Sequence, residues 1–88
     1  MKAIEKQRRF LKHYQQRIQP NPKLVARFDI AVRLFVNGER AYPLNDHPLK
    51  GAKLGLRAFS IGSDLRVVYK EDSLAYTFLD VGSHNQVY

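Results

Sequence analysis

The sequence predicts an α+β domain: a two-helix antiparallel hairpin packed on a three- to four-stranded antiparallel sheet, in the order β-α-α-β-β-β. Three observations predict it. Apolar residues recur at intervals of three and four up to Phe35, the period of a helix with one buried face. From Leu56 onward come short runs rich in β-branched and aromatic residues, separated by turn-forming residues. With 88 residues there is room for one core and one domain, 1–88, so the two halves must share that core.

A short strand over Lys2 to Ile4 opens the chain. Phe10, Leu11, Tyr14 and Ile18 form the apolar stripe of the first helix, and Lys6, Arg8, Arg9, Lys12 and Arg17 cover its other face. Such a face is ordinarily solvated, and it also suits phosphates or an acidic partner. Gln19-Pro20-Asn21-Pro22 breaks this helix and starts the next. Asn21 is suited to the N-cap and Pro22 to the first helical position, where a missing N–H costs nothing. Leu24, Val25, Phe28, Ala31, Val32 and Phe35 make the second buried stripe, and Asn37-Gly38 ends it with a left-handed glycine.

Strands are expected over Leu56 to Ile61, Leu65 to Lys70 and Leu74 to Val81, with turns at Gly62-Ser63-Asp64 and Glu71-Asp72-Ser73. Leu65, Val67 and Tyr69 alternate with Arg66, Val68 and Lys70, so one sheet face should meet the helices. In the last run Tyr76 and Phe78 share a face with Leu74. Between helices and sheet, Glu39 to about Lys53 has no periodicity. A connection of that length in a small domain is usually functional or disordered. Pro43 and Pro48 stiffen it, Tyr42 and Leu44 are placed to anchor it, and Gly51 and Gly55 permit turns, which argues for an ordered loop.

Composition narrows the function. Apolar residues make up 44% of the chain, too many for a disordered one. Fifteen Lys and Arg against eight Asp and Glu leave a net charge of +7, which points to a polyanionic partner. There is no cysteine, so disulfides and thiolate metal sites are excluded and a reducing cytoplasm is the expected setting. Met1 to Phe10 is charged rather than apolar, unlike a signal peptide. No run approaches the roughly 18 apolar residues of a membrane span.

Three histidines are the candidates for chemistry. His13, on the first helix, reads as a surface residue; His47 lies in the long loop beside Asp46, a carboxylate placed to orient its ring or raise its pKa, and His84 follows Val81-Gly82-Ser83. Taken singly, each of the last two reads as an exposed histidine. Together with Lys50, Lys53, Arg57 and Arg66 they suit RNA cleavage without a metal or cofactor. A base takes the ribose 2′-hydroxyl proton, the oxygen attacks phosphorus, and an acid protonates the departing 5′-oxygen. Imidazoles titrate near working pH and serve both tasks, cations offset phosphoryl charge, and Tyr88 or Phe59 is available to stack on a base. His-x-x-x-His pairs, carboxylate clusters and phosphate-binding glycine loops are missing, so no metal is expected.

Asp46-His47-Pro48-Leu49-Lys50-Gly51, Gly55, Arg57, the strand Asp64 to Tyr69, and Gly82-Ser83-His84 together resemble the YafQ family of the RelE/ParE superfamily of type II toxins. The resemblance follows the whole chain in element order and is sharpest over 45–70 and 82–88. It implies a RelE-like fold and a ribosome-dependent endoribonuclease that cuts mRNA in the small-subunit decoding site. It also implies a cognate antitoxin, acidic where it meets this basic chain, with the free toxin monomeric and a hetero-oligomer forming on neutralisation. By position, His47 and His84 match catalytic histidines, Asp64 an active-site acid and Tyr88 a terminal aromatic of the site. Lys50, Lys53 and Arg57 correspond to its cationic surroundings, and Arg66 joins them as a phosphate-binding candidate. Two positions depart from the pattern: Ser60 stands in place of a further histidine and Leu65 in place of a tryptophan. A ParE-like inhibitor of DNA gyrase and a non-catalytic basic RNA-binding domain remain the alternatives at this stage.

Overall fold

A computed structural model describes residues 2–62 and 64–88. Met1 and Ser63, the latter inside the turn expected over Gly62 to Asp64, lie outside the described residues. The elements run β1 (Ala3–Lys6), α1 (Arg8–Arg17), α2 (Pro22–Val36), β2 (His47–Pro48), a 3₁₀ turn (Gly51–Lys53), β3 (Arg57–Ser60), β4 (Leu65–Glu71), β5 (Ala75–Ser83) and α3 (His84–Val87).

Local chemistry sets the helix boundaries. The Asn21 side chain accepts the Lys23 amide and Pro22 begins α2. Gly38, at φ +91°, takes the left-handed conformation after the Asn37 C-cap. Phe28, Ala31 and Phe35 of α2 and Phe10 of α1 are buried, with Ile18 closing the first helix at no exposure. Leu11 departs from the expected stripe and is half exposed. Phe28 packs against Phe10 and Tyr14, and Phe35 stacks on Phe59 at 4.7 Å, so both helices reach one aromatic core.

The sheet has five strands in the order β1-β5-β4-β3-β2, more than the three or four expected. β1 pairs in parallel with β5, Ala3 opposite Ala75, while the other pairings are antiparallel. The fifth strand is the two-residue β2 inside the long loop, too short to carry any periodicity. Leu74 lies outside the sheet, 80% exposed, in a turn where the Asp72 carboxylate accepts the amides of Leu74 and Ala75.

Between β4 and β5 the register shifts: Val68 faces Asp80 and Tyr69 faces Phe78, which leaves Leu79 as an extra residue. This β-bulge changes which side chains point where. Phe78 and Val81, three apart, both enter the helix-side core with Val67 and Tyr69, while Leu79 packs with Leu49, Ala58, Val68 and Val87 in a second, smaller cluster. The sheet is therefore covered on both faces, by α1 and α2 on one and by the loop and α3 on the other. That second cover carries the candidate site. No helix among the described residues is long and apolar enough to cross a membrane.

Candidate functional site

The long loop is held by one carboxylate. Asp46, whose side chain has no exposed surface, accepts from Arg57 Nε at 2.7 Å and from the Tyr69 hydroxyl, and Arg40 Nε lies 4.0 Å away. Arg40 also donates to the Phe35 carbonyl at the end of α2, so helix, loop and sheet meet there. Burial and the Asp46 contact push the Tyr69 phenol well above its ordinary range, and the hydrogen bond to Asp46 raises the Arg57 guanidinium. The pairing expected from sequence, Asp46 with its neighbour His47, does not form. A buried carboxylate needs charged or hydrogen-bonding partners, and here they are Arg57 of β3, the Tyr69 hydroxyl of β4 and, farther off, Arg40.

His47 is oriented from its own loop instead. Its Nδ1 lies 2.9 Å from the carbonyl oxygen of Asn45, a residue at φ +49°. A carbonyl only accepts, so Nδ1 carries the proton and Nε2 of the neutral ring keeps its lone pair. Nε2 faces the Tyr88 hydroxyl at 3.4 Å, and the two rings meet edge-on at 6.4 Å. His84, the first residue of α3, also meets the Tyr88 ring edge-on, at 4.6 Å between centroids. Residues 37 positions apart in sequence thus share one aromatic neighbour.

The cations divide between the two sheet faces. Arg66 lies over the Tyr88 ring at 5.8 Å and donates to the Asp64 carbonyl, with the exposed Asp64 carboxylate 3.6 Å away. Lys50 and Lys53 bracket the 3₁₀ turn and, with Leu49, Ala52 and Tyr88, line a hollow of about 250 Å³. Arg57 is not brought to this cluster. It sits opposite Tyr69 and in step with Phe59 on the helix-side face, committed to Asp46. Phe59 is fully buried and presents no surface to a base. Burial raises the Tyr88 phenol above its ordinary value and Arg66 partly opposes that shift, so Tyr88 remains a neutral hydrogen-bond donor at pH 7.

A further support was not visible as such in the sequence. His13 and Arg17, one turn apart on α1, both reach Asp80 at the bulge, and Arg17 donates to the Val81 carbonyl at 2.8 Å. His13 is thus a half-buried strut rather than a free surface residue. Spacing offered one clue, since 13 and 17 flank the apolar Tyr14 and Ile18. Beyond the bulge, Gln86 accepts the Ser83 amide at 2.7 Å and so caps the start of α3. Gly82 leaves room for both side chains: a Cβ there would meet Arg17 Nη1 at 2.5 Å, Gln86 Oε1 at 2.7 Å and Gln86 Cβ at 3.1 Å. Gly82→Ala should therefore push the ends of Arg17 and Gln86 off their hydrogen bonds to Val81 and Ser83 and cost about 1 kcal/mol, read as a lower urea midpoint. It should also shift the NMR signals of His84 and Tyr88 while leaving those of Asp46 and Arg57 in place.

Comparison with known proteins adds the family. A family model described as a bacterial toxin of type II toxin–antitoxin systems, YafQ, matches residues 2–88. No curated protein matches the chain. Among solved structures, YafQ from Escherichia coli BL21(DE3) superposes with a TM-score of 0.82 at 22% identity, covering 100% of this chain and 99% of that one. The Escherichia coli DinJ–YafQ complex gives 0.81 at 23% identity over 100% and 99%. A copper-bound mutant toxin from Helicobacter pylori gives 0.84 at 21% identity over the full length of both chains. At these identities the likeness is one of fold. The copper belongs to that toxin; among the described residues of this chain no three His, Cys, Asp or Glu side chains gather to hold a metal ion.

Proposed function

The chain belongs to the YafQ family of bacterial type II toxin–antitoxin toxins, and from that premise we propose that it is a ribosome-dependent endoribonuclease cleaving mRNA by general acid–base catalysis. The observation that carries this reading is the convergence of His47 and His84 on Tyr88, beside Arg66, Lys50 and Lys53. His47 is the base: its Nε2 lone pair takes the proton of the 2′-hydroxyl. The freed oxygen attacks the adjacent phosphorus, the bond to the 5′-oxygen breaks, and protonated His84 delivers its proton to that leaving oxygen. The products are a 2′,3′-cyclic phosphate and a 5′-hydroxyl end. Arg66 and the two lysines face the charge that builds on the phosphoryl oxygens, and the neutral Tyr88 phenol offers a donor and a face for a base. Asp64 acts through Arg66, whose guanidinium it holds.

The antitoxin is proposed as the second partner, acidic to match a net charge of +7. Purified protein incubated with translating ribosomes should create new message ends that carry 2′,3′-cyclic phosphate. Intact messages with rising DNA damage in cells would favour gyrase inhibition on the same fold. Ribosome binding with steep salt dependence and no new ends would favour a plain RNA-binding domain.

A further inference from the structure

The last stretch of β5 builds a second hollow beside the proposed site. β1 pairs with β5 only as far as Phe78, so from Leu79 on that edge of the strand is open, and α1 covers it with His13 and Arg17. Where α1 begins, a hollow of about 180 Å³ is left between the helix, the 3₁₀ turn and the sheet. Leu79 and Val87 line its apolar part, and Gln7, Arg9, Lys53 and Asp80 its polar part. Lys53 also lines the hollow beside Tyr88, so the two hollows meet at that lysine. Among the described residues that line the second one, Asp80 is the one carboxylate. Its Oδ1 is occupied: it accepts the Val81 amide at 2.8 Å and meets His13 Nδ1, with Arg17 Nη1 at 3.8 Å. Its Oδ2 makes no hydrogen bond among the described residues, on a side chain only 14% exposed. The strut from α1 thus fixes the carboxylate and leaves one oxygen, with two lone pairs, unused.

We propose that this hollow takes a guanine of the message, next to the nucleotide held at Tyr88, and that Asp80 reads it. Its place on the message rests on the nuclease reading, whereas recognition of the base stands on the hollow alone. A carboxylate repels phosphate, so in a basic hollow it belongs opposite a base edge that donates. Single-stranded RNA is read in this way, through unstacked bases bonded along their edges. Guanine offers two adjacent donors, N1–H and N2–H, with the acceptors O6 and N7 beyond them. Asp80 Oδ2 takes the donors, and Arg9 and Gln7 supply donors to the acceptors. Uracil has a single donor, and in adenine and cytosine the amino group stands beside a ring nitrogen whose lone pair the carboxylate repels. Leu79 and Val87 give the ring an apolar face to lie on.

GMP, AMP, CMP and UMP titrated into the full chain test this, because they share the phosphate and differ in the base. GMP should move the NMR methyl signals of Leu79 and Val87 and bind about tenfold more tightly than the other three. Asp80→Asn puts a donor where Oδ2 stood and keeps an acceptor for the strut, and the lead of GMP should vanish. Arg9→Ala, exposed and outside the strut, keeps the test open should Asp80→Asn unfold: it should cut that lead about fivefold. On translating ribosomes, message ends made by the wild-type chain should carry guanine at one fixed distance from the cut, and those made by Asp80→Asn should not. Equal binding of the four nucleotides, or a lead that survives in both variants, would overturn the subsite. A GMP lead without guanine at the message ends would overturn its assignment to the message. Absence of all cleavage would strike the nuclease reading and the place on the message with it, while the titrations still decide the hollow.

Discussion

His84→Ala should lower message cleavage on translating ribosomes by about 10²–10⁴-fold, the contribution of one positioned proton transfer. Ribosome binding should change little, because Arg66, Lys50 and Lys53 are untouched. The imidazole is exposed and its recorded contact is with the Tyr88 ring, so the urea midpoint should also hold. That separation makes the variant informative: activity falls while fold and binding stay. Mapping of message ends with purified ribosomes, beside a sedimentation assay for binding, measures both halves. Cleavage at the wild-type rate would remove His84 from the chemistry and return the site to Tyr88 and Arg66.

Asp46→Ala should produce the largest loss of stability. Its carboxylate has no exposed surface and serves Tyr69, Arg57 and, more distantly, Arg40. Deleting it leaves the Tyr69 hydroxyl unsatisfied in the core, about 1–3 kcal/mol, and an arginine without its partner. Arg57 is 39% exposed and water compensates it in part. About 3 kcal/mol in total is expected, a fall of roughly 10–20 °C in Tm for a domain of this size. Urea and thermal unfolding followed by circular dichroism measure it, and a loss below about 1 kcal/mol would mean that the loop is held elsewhere. The same cluster sets an alkaline limit. Tyr69 holds its proton more tightly when folded than when unfolded. Its contribution is therefore complete below the unfolded value near 10 and is lost as pH rises above it. Stability should decline with pH above about 10, and in Tyr69→Phe that part of the decline should disappear.

Much of the scaffold was legible because its signals are local. Asn21-Pro22 and Gly38 mark helix ends through capping chemistry that needs no distant partner. The β-branched runs gave β3, β4 and β5 to within two residues. What was hidden depends on pairing across the chain. Nothing near Lys2 announces a parallel partner at Ala75, and strict alternation cannot foresee that Leu79 is skipped. At the site, His47 and His84 were readable as types and Tyr88 as a neighbour, because the family motif holds them in order. Their convergence needed α3 folded back over the second cluster. Arg57 was misplaced for an avoidable reason: it shares parity with Phe59, so its strand turns it toward the helix-side core rather than toward the lysines.

The parallel union of β1 with β5 bears on when this molecule becomes dangerous. The first strand to be synthesised has no mate until the last one exists, and His84 and Tyr88 follow even that. Closing so long a loop is slow compared with helix formation. The two helices can form early on a nascent chain, but the sheet face that seats them and the turn that bears the imidazole arrive together at the end. On the nuclease reading proposed above, the site is therefore assembled only after β5 and α3 have been made.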